Sequence, residues 1–495
     1  MQANLSHAAT PAATNEEIVQ WSAIELSRRI HARDVSCVEV MEAFLAQIDR
    51  HNPTVNAVVA RIDAESAIDQ ARERDVLLSQ GLSGGWMHGF PQAPKDLAAT
   101  AGMVTAMGSL AMARNVPTHD SIVVERIRRQ GTVLIGKTNT PEFGLGSHTY
   151  NRVYGITRNA WNPERSAGGS SGGTAAALAL NMLPVADGSD MMGSLRNPAA
   201  WNNIYGLRPS LGRVPYGPTG DVFFQQLGTE GPMARNPHDL AWLLATQAGY
   251  DPRAPLSLSD DPACFMQPLH RDFRQARIGW LGDFGGYLAI DSDVLAVNEQ
   301  ALDTFDTLGC HVETVRPFFA MDALWECWCT LRALSVSGNL GLLYDNAATR
   351  DLLKPEAIWE IEHGRSRTAV DINRAIATRA SWYQALLRQF AHYDCLVLPC
   401  TQVAPFPAEE HWPKTVAGRA MDTYHRWMEV VIGATLAGVP AASLPSGLTA
   451  EGLPLGLPLG LQVIAPPRSE FALLQLAAAW HEAFAPARAA SPLLG

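Results

Sequence analysis

The feature of this chain that most constrains its fold is an alternation of helices with short apolar strands. A charged helix is predicted over 121–130 and is followed at once by the apolar run 132–136. The same order returns where a helix over 292–308 precedes a strand over 311–315, and the run 395–399 predicts a further buried strand. Such alternation is typical of proteins in which helices pack against a sheet. The pattern therefore predicts an α/β fold.

The composition excludes several classes of protein. Of the 495 residues, 47% are hydrophobic and 18% are charged, so the chain is too apolar for a disordered protein and long enough to bury a large core. Asp and Glu total 49 against 38 Lys and Arg, which gives a formal net charge of -11. Because nucleic-acid binding requires a basic surface, this acidic balance predicts no nucleic-acid partner.

Targeting and redox features predict a cytoplasmic protein. No apolar run approaches the roughly 18 residues that a membrane helix requires, so no membrane association is expected. Residues 1–15 are polar and lack the basic and apolar regions of a secretory signal, and we expect a mobile tail there. The seven cysteines are scattered and the 14 histidines show no paired spacing. These counts predict reduced thiols, no metal and no other cofactor.

A glycine-rich segment over 166–174 is the most unusual part of the sequence. Its four glycines bracket Ser170 and Ser171, directly before a helix predicted over 174–182 and a strand predicted over 183–186. Glycines let the backbone adopt conformations closed to other residues and let another group approach closely. A phosphate-binding P-loop would need a Lys that is absent here. The segment by itself leaves a catalytic loop and a flexible loop equally open.

Two other segments carry residues able to do chemistry. Ser194 follows a predicted tight turn and has charged neighbours in Asp190 and Arg196. Lys95 stands alone in an apolar, Pro-rich stretch. A lone Lys is most often solvated, but a buried Lys loses pKa through desolvation and can then act as a base.

Together these three segments resemble the amidase signature family. The resemblance covers about residues 20–485 and includes further motifs at 89–96, 136–143, 157–163, 206–210, 231–235 and 438–462. It implies one large α/β domain over 16–490, with a central mixed β-sheet covered by helices on both faces. Within this domain, a signature core would occupy about 85–240 and a helical insert about 320–392.

The resemblance also implies catalytic roles. It makes Ser194 the nucleophile, Ser170 a bridging serine in a cis peptide, and Lys95 the base. A serine hydroxyl is a poor nucleophile at neutral pH and needs a base within hydrogen-bond reach. Neutral Lys95 would take a proton from Ser170, which would take the proton of Ser194. The relay would then reverse to protonate the leaving amine.

Around the nucleophile, the resemblance implies an oxyanion hole and supporting residues. The backbone N–H groups that would bind the oxyanion are those of Met191, Met192, Gly193 and Ser194. Ser171, Asp190 and Arg196 would support the loops, although an ordinary ion pair explains Asp190 and Arg196 equally well. The family usually has Thr-Gly-Gly-Ser where this chain has Met-Met-Gly-Ser. This departure removes no N–H donor, and it puts the Met192 side chain beside the scissile carbonyl.

The implied function is hydrolysis of a carboxamide C–N bond through a serine acyl-enzyme, which yields a carboxylate plus ammonia or an amine. Aromatic residues in the variable segments favour an aryl or bulky apolar amide as the small-molecule partner. The pocket candidates are Met192, Phe223, Phe224, Trp325, Trp328 and Trp427. The sequence leaves the oligomeric state open, a homo-oligomer included.

Two alternatives from other classes stay open. One is the glutaminase (A-type) subunit of a tRNA-dependent amidotransferase, which would require partner subunits and glutamine specificity. The other is a non-catalytic binding protein on the same scaffold, although all three catalytic positions hold suitable residue types. Hydrolysis of glutamine, aliphatic amides and aryl amides, measured side by side, distinguishes these hypotheses.

Overall fold

The computed structural model describes residues 13–224, 226–450 and 456–495. Most of the predicted N-terminal tail, 1–12, lies outside the described residues. The first helix begins at Asn15, inside the predicted tail, because the Thr14 side chain accepts a hydrogen bond from the Glu17 N–H and caps it.

The described part of the chain contains sixteen α-helices and sixteen β-strands. The helices are α1 (Asn15–Gln20), α2 (Ala23–Ala32), α3 (Cys37–Val55), α4 (Ala64–Ser79), α5 (Ile122–Arg129), α6 (Gly172–Ala179), α7 (Arg196–Trp201), α8 (Pro237–Gln247), α9 (Ser292–Ala301), α10 (Asp303–Thr307), α11 (Met321–Asp345), α12 (Ala347–Arg350), α13 (Pro355–Arg365), α14 (Ala369–Phe390), α15 (Ile432–Ala437) and α16 (Glu470–Ala483). The strands are β1 (Val58–Val59), β2 (Pro91–Gln92), β3 (Val133–Leu134), β4 (Lys137–Thr138), β5 (Tyr150–Asn151), β6 (Gly155–Ile156), β7 (Ala186–Asp190), β8 (Tyr205–Arg208), β9 (Thr229–Ala234), β10 (Arg277–Trp280), β11 (His311–Thr314), β12 (Cys395–Pro399), β13 (Thr415–Val416), β14 (Arg419–Ala420), β15 (Ala441–Leu448) and β16 (Pro458–Ile464).

Eight of the strands form one mixed sheet. Their order across the sheet is β11-β10-β12-β16-β15-β8-β9-β7. β10 runs parallel to both β11 and β12, whereas the other neighbouring strands are antiparallel. β7 lies at one edge of this order and pairs with β9, which puts the loop after β7 at the border of the sheet.

The side chains of β12 show why helices cover both faces of the sheet. Successive residues of a strand point to opposite faces. Cys395 and Val397 accordingly join a hydrophobic cluster with α3, α6, α8 and α16, whereas Leu396 and Leu398 join a second cluster with α11, α14 and α15. The chain is therefore a single α/β domain with a central mixed sheet between helical layers, as predicted.

The strand predicted over 183–186 is wrong in its bounds. β7 begins at Ala186 and continues to Asp190, through residues whose polarity is typical of a turn. Strand β9 stabilises this segment, with Asp187 opposite Pro232 and Ser189 opposite Glu230. The pairing is a long-range interaction, so the local pattern does not contain it.

The helical regions follow the predictions more closely. Helices α11 to α14 run from Met321 to Phe390, where the helical insert is predicted. The helix predicted over 292–308 is divided into α9 and α10. None of the helices in the described ranges is long and apolar enough to cross a membrane.

Candidate active site

Lys95 lies in the interior of the domain, a few residues after β2, with 1% of its surface exposed. Its Nζ is 2.7 Å from Ser170 Oγ, 2.9 Å from Ser171 Oγ and 3.0 Å from Ser189 Oγ. A fourth contact joins Nζ to the Ser189 carbonyl oxygen at 3.5 Å. All of these partners are neutral, so the amine is held by hydroxyl groups and a carbonyl in place of a carboxylate.

The surroundings of Lys95 change its charge state. Burial lowers the pKa of Lys95 to about 7, although Asp187, Asp190 and Glu230 act in the opposite direction. A solvated Lys has a pKa of about 10.4 and is almost fully charged at pH 7. Near neutral pH, Lys95 therefore exists to a substantial extent as the neutral amine, which is the form that accepts a proton.

The glycine-rich segment places two serines against Lys95. The Gly169–Ser170 peptide bond is cis, and both Ser170 and Ser171 are buried. A Cβ at Gly172 would lie 2.3 Å from Thr149 Oγ1, and one at Gly173 would lie 2.3 Å from a backbone nitrogen. The glycines therefore allow tight packing of the loop, which argues against a flexible loop. Ser171, predicted to support this loop, also contacts Lys95 directly.

The turn that carries Ser194 is built on the carboxylate of Asp190. This carboxylate accepts hydrogen bonds from Gly193 N at 2.9 Å and Leu195 N at 3.3 Å. Arg196 binds both of its oxygens, each at 2.9 Å, and both side chains are fully buried. Burial alone would raise the pKa of Asp190, but Arg196 and then Arg208 outweigh it and hold that pKa well below its usual range. Asp190 thus organises the turn and is more than an ordinary ion-pair partner.

The backbone N–H groups of the turn differ in availability. Gly193 N–H is already bonded to Asp190, so this member of the four N–H groups predicted to bind an oxyanion has an acceptor within the turn. The N–H groups of Met191, Met192 and Ser194 bind no acceptor among the described residues. Gly193 has a φ of +78°, and a Cβ there would lie 2.6 Å from the Asn197 side chain, so glycine is required.

The hydroxyl of Ser194 is not yet linked to the other two predicted catalytic groups. Lys95 and Ser170 are hydrogen-bonded, but Ser194 Oγ makes no hydrogen bond to any of the described residues. Catalytic hydrogen bonds are often long in the absence of substrate and tighten when it binds. Ser170 and Ser194 both line the same cavity, so the free hydroxyl faces the space that a substrate would fill.

This cavity has a volume of about 150 Å³. Its apolar side chains are Leu97, Phe143, Leu145, Met191, Met192, Val336, Leu340 and Met428. Its polar side chains are Ser170, Ser189, Asp190, Ser194, Tyr216, Thr229, Arg332 and Asn339. Helix α11 supplies four of these residues at spacings of four, seven and eight, which lie on one helix face. The lining suits a small organic molecule with both apolar and polar parts.

Comparisons with known proteins identify the architecture. A family model described as Amidase matches residues 39–474. An acylamidase of Rhodococcus erythropolis is 33% identical over 468 residues, which cover 94% of this chain and 95% of that protein. The chain belongs to the amidase signature family.

Other members of the amidase signature family differ in what they act on. A bacterial aryl acylamidase of the family has a TM-score of 0.86 at 27% identity, covering 94% of this chain and 96% of that one. A 6-aminohexanoate cyclic dimer hydrolase has a TM-score of 0.83 at 26% identity, covering 96% of this chain and 100% of that one. The A-type glutamyl-tRNA(Gln) amidotransferase subunit of Azotobacter vinelandii is 32% identical over 483 residues, covering 93% of this chain and 96% of that protein. This chain is therefore a hydrolase of the amidase family.

The predicted pocket aromatics are corrected by the structure. Phe223 and Phe224 lie on the surface, 59% and 88% exposed. Trp328 is fully buried inside the domain, and Trp427 stacks on Trp201 with 6.0 Å between the ring centroids. These large rings fill the space between the helices and the sheet instead of lining the cavity.

Two further pocket candidates have different outcomes. Trp325 is buried and packs beside His425, with 5.1 Å between the ring centroids, so it too lies away from the cavity. Met192 does line the cavity, although only 3% of its surface is exposed. Its thioether packs against the hydrophobic cluster that contains α11 and α14. The wall that the sequence predicted to be aromatic is therefore largely aliphatic and thioether in character.

Ser189 and Arg332 are among the site residues that were not found in the sequence. Ser189 contacts Lys95, and reading 186–190 as a strand would have put it on the same face as Asp187. Arg332 is 2% exposed and lines the cavity. Its guanidinium binds Glu360 through Nε and the Tyr424 hydroxyl at 2.7 Å through Nη2. No local signal marks Arg332, because only the tertiary structure brings α11 to the cavity.

Proposed function

We propose that this protein is a stand-alone amidase that hydrolyses aryl or bulky apolar amides through an acyl-enzyme on Ser194. The observation that carries the proposal is the 2.7 Å hydrogen bond between Lys95 and Ser170 beside a cavity of mixed apolar and polar lining that Ser194 also lines. Similarity to acylamidases supports the same reaction.

The chemistry begins with proton transfer toward Lys95. Neutral Lys95 takes the proton of the Ser170 hydroxyl, and Ser170 takes the proton of Ser194 as its Oγ attacks the amide carbonyl. The carbonyl oxygen becomes an oxyanion beside the unengaged N–H groups of Met191 and Met192, which stabilise it. Three neutral hydroxyls around Nζ solvate the ammonium that forms.

The same relay completes the cycle in reverse. The C–N bond breaks as the proton of Lys95 returns through Ser170 to the leaving nitrogen, so an amine departs and Ser194 keeps the acyl group. A water molecule then attacks the ester, with the relay again accepting a proton. Collapse of the second tetrahedral intermediate releases the carboxylate and restores the Ser194 hydroxyl.

The cavity favours an apolar substrate with one polar acceptor. Leu340, Met192 and Met428 offer an apolar surface for a ring or a bulky chain. Arg332 Nη1 has a Met191 sulfur at 3.7 Å as its partner, which is a weak acceptor. A carbonyl or other neutral acceptor on the substrate would satisfy this donor, and Glu360 already balances the charge of the guanidinium.

The same lining argues against the glutaminase alternative. Glutamine carries an ammonium group, and burying that group requires a carboxylate partner. Among the lining residues of the described chain, the one carboxylate is that of Asp190. Arg196, Gly193 and Leu195 already occupy it.

Parallel kinetics on an anilide, a long-chain aliphatic amide and glutamine test the proposal. We expect the highest kcat/KM for the anilide or the bulky amide, and we expect mass spectrometry to detect an acyl group on Ser194 during turnover. Arg332→Met should weaken binding of amides that carry a second acceptor more than it weakens binding of plain anilides. Glutamine as the fastest substrate would favour the amidotransferase alternative instead.

The activity should rise with pH. Lys95 accepts a proton only as the neutral amine, and its pKa of about 7 lies far below the ordinary value. The ammonium form therefore predominates below pH 7, and kcat/KM should climb through this region and level off at alkaline pH. The dependence of kcat/KM on pH is measured with a substrate whose leaving group does not titrate in this range. A profile that peaks at acid pH and declines by pH 8 contradicts a lysine base.

Replacing Met192 by glycine should alter substrate selection more than chemistry. The loss of its buried side chain from the cavity wall should raise KM for an anilide by about tenfold, or about 1.4 kcal/mol, and should admit branched acyl groups. The backbone N–H remains, so kcat on the smallest accepted amide should change little. Equal loss on the anilide and on that small amide would mean that Met192 supports the turn and does not select substrates.

A further inference from the structure

The surface against which Lys95 packs is formed by two strands of the sheet. Asp187 and Ser189 project from the same face of β7, because side chains two residues apart on a strand share a face. Glu230 on β9 lies directly opposite Ser189, so its side chain projects from that same face. Asp187 and Glu230 are therefore diagonal neighbours on one face of a buried strand pair.

Lys95 contacts this face through its backbone N–H and through the Nζ at the end of its side chain. Its backbone N–H donates to Asp187 Oδ2 at 3.2 Å, and its Nζ lies 3.0 Å from Ser189 Oγ. Asp187 is 2% exposed and Glu230 is 6% exposed. Two carboxyl groups thus lie out of solvent immediately behind the proposed base, although the relay itself uses neither of them.

Neither carboxyl group has a full set of partners. Asp187 Oδ1 and Glu230 Oε2 are both buried, and neither has a hydrogen-bond partner among the described residues. The nearby buried Lys137 does not pair with them, since its Nζ binds the Ala98 carbonyl and the Thr100 hydroxyl, each at 2.7 Å. Two unpaired carboxylates on adjacent strands would repel each other in a medium of low dielectric constant, which favours retention of a proton.

The surroundings of the two carboxyl groups also favour retention of a proton. Burial, and then the charge of Asp187, raises the pKa of Glu230 to about 8, and burial raises the pKa of Asp187 as well. Burial lowers the pKa of Lys137 to about 8. The other titratable groups that interact with the two carboxyls or with these lysines are Asp96, Asp120, Asp190 and Tyr216.

We propose that Asp187 and Glu230 together hold one proton at neutral pH and that the charge of this pair sets how readily Lys95 accepts the proton of Ser170. The inference rests on the proposed role of Lys95 as the base. The two carboxyls touch no substrate atom and act through Lys95, so they are positioning residues. A negative charge on the pair favours the ammonium form of Lys95 and opposes loss of its proton.

The pair and Lys95 therefore titrate together. As the pH rises, loss of the proton held by the pair adds a second negative charge beside Lys95 just as Lys95 becomes neutral. Interacting groups of this kind release their protons over a wider range than one group would. The rising limb of the pH–rate profile should accordingly extend over a wider pH range than the titration of a single group. Removing a carboxyl group of the Asp187–Glu230 pair should change this range.

Conservative amide variants test the coupling to Lys95. Glu230→Gln leaves Asp187 as the one carboxylate of the pair. The rising limb of the pH–rate profile of this variant should narrow to the width expected for a single titrating group. The Asp187→Asn/Glu230→Gln double variant removes both carboxylates of the pair, and the rising limb of its pH–rate profile should move to lower pH by about one unit. Asp239→Asn is the matched control, since it removes a buried carboxyl that caps α2 through Ala23 and Ile24. The rising limb of the Asp239→Asn pH–rate profile should lie at the same pH as that of the wild type.

Stability measured without substrate tests the proton held by the pair independently of any amidase activity. An unfolded Glu ionises near pH 4.3, whereas folded Glu230 keeps its proton to about pH 8. In this window the native state holds more protons than the unfolded state, so this group makes wild-type stability fall as pH rises. The melting temperature of Glu230→Gln minus that of wild type should therefore increase from about pH 5 to pH 8.

The outcomes separate the inference from the proposed function. A difference in melting temperature that does not change with pH overturns the inference that the pair holds one proton. If the rising limb of the pH–rate profile of the double variant lies at the wild-type pH, the carboxyl pair does not change how readily Lys95 accepts a proton, and that part of the inference is overturned. If the melting temperatures behave as expected but no amide is hydrolysed, the carboxyl pair stands and the proposed function fails.

Discussion

Replacing Ser194 by alanine should abolish amide hydrolysis, because it removes the hydroxyl that forms the acyl-enzyme in the proposed mechanism. Lys95→Ala and Ser170→Ala should each lower kcat by on the order of 10⁴-fold, since both break the path of the proton. Members of one relay act as a unit, so the Lys95→Ala/Ser194→Ala double variant should be no slower than Ser194→Ala alone. Steady-state kinetics on an anilide, with circular dichroism to verify folding, measure the effects.

A buried serine outside the cavity provides the control for this series. Ser446 is 2% exposed, and its hydroxyl has no hydrogen-bond partner among the described residues. Ser446→Ala should keep wild-type kinetics. If Ser194→Ala retains more than a few per cent of the wild-type rate, another residue is the nucleophile.

Replacing Asp190 by asparagine should reduce both stability and activity. The carboxylate lies fully buried against Arg196 and Arg208. Removal of one partner from a buried ion pair leaves an uncompensated charge and typically costs about 3–5 kcal/mol. The turn from Met191 to Ser194 would also lose the acceptor that orients it, so kcat should fall while KM changes less. Urea unfolding and kinetics on the soluble protein test both effects.

An exposed ion pair offers a matched comparison for Asp190. Glu313 binds Arg277 at 2.9 Å, with both side chains nearly half exposed. Because solvent screens such a pair, Glu313→Gln should cost about 0–1 kcal/mol and leave kcat unchanged. Equal stabilities of the Asp190→Asn and Glu313→Gln variants, together with unchanged kcat, would show that the Asp190 carboxylate does not hold the turn.

Much of the fold was predictable because it depends on local patterns. β12 has the predicted bounds, since its apolar run is short and clearly delimited. β7 was not predictable in this way. Its sequence from Asp187 to Asp190 is polar, and only pairing with β9 makes it a strand. The misplaced strand also concealed Ser189, which alternation along β7 would otherwise have put beside Asp187.

The candidate site likewise has features that local sequence patterns predicted and features that only the tertiary structure decided. The ordered motifs of the sequence identified Lys95, Ser170 and Ser194 as candidates, because glycine spacing and residue type are visible locally. The tertiary structure decided how these residues meet and which side chains surround them. It buried Lys95, brought Arg332 on α11 to the cavity and directed Trp328 into the core. Charge state and pocket lining depend on burial by segments distant in sequence, and no local pattern of residues encodes that burial.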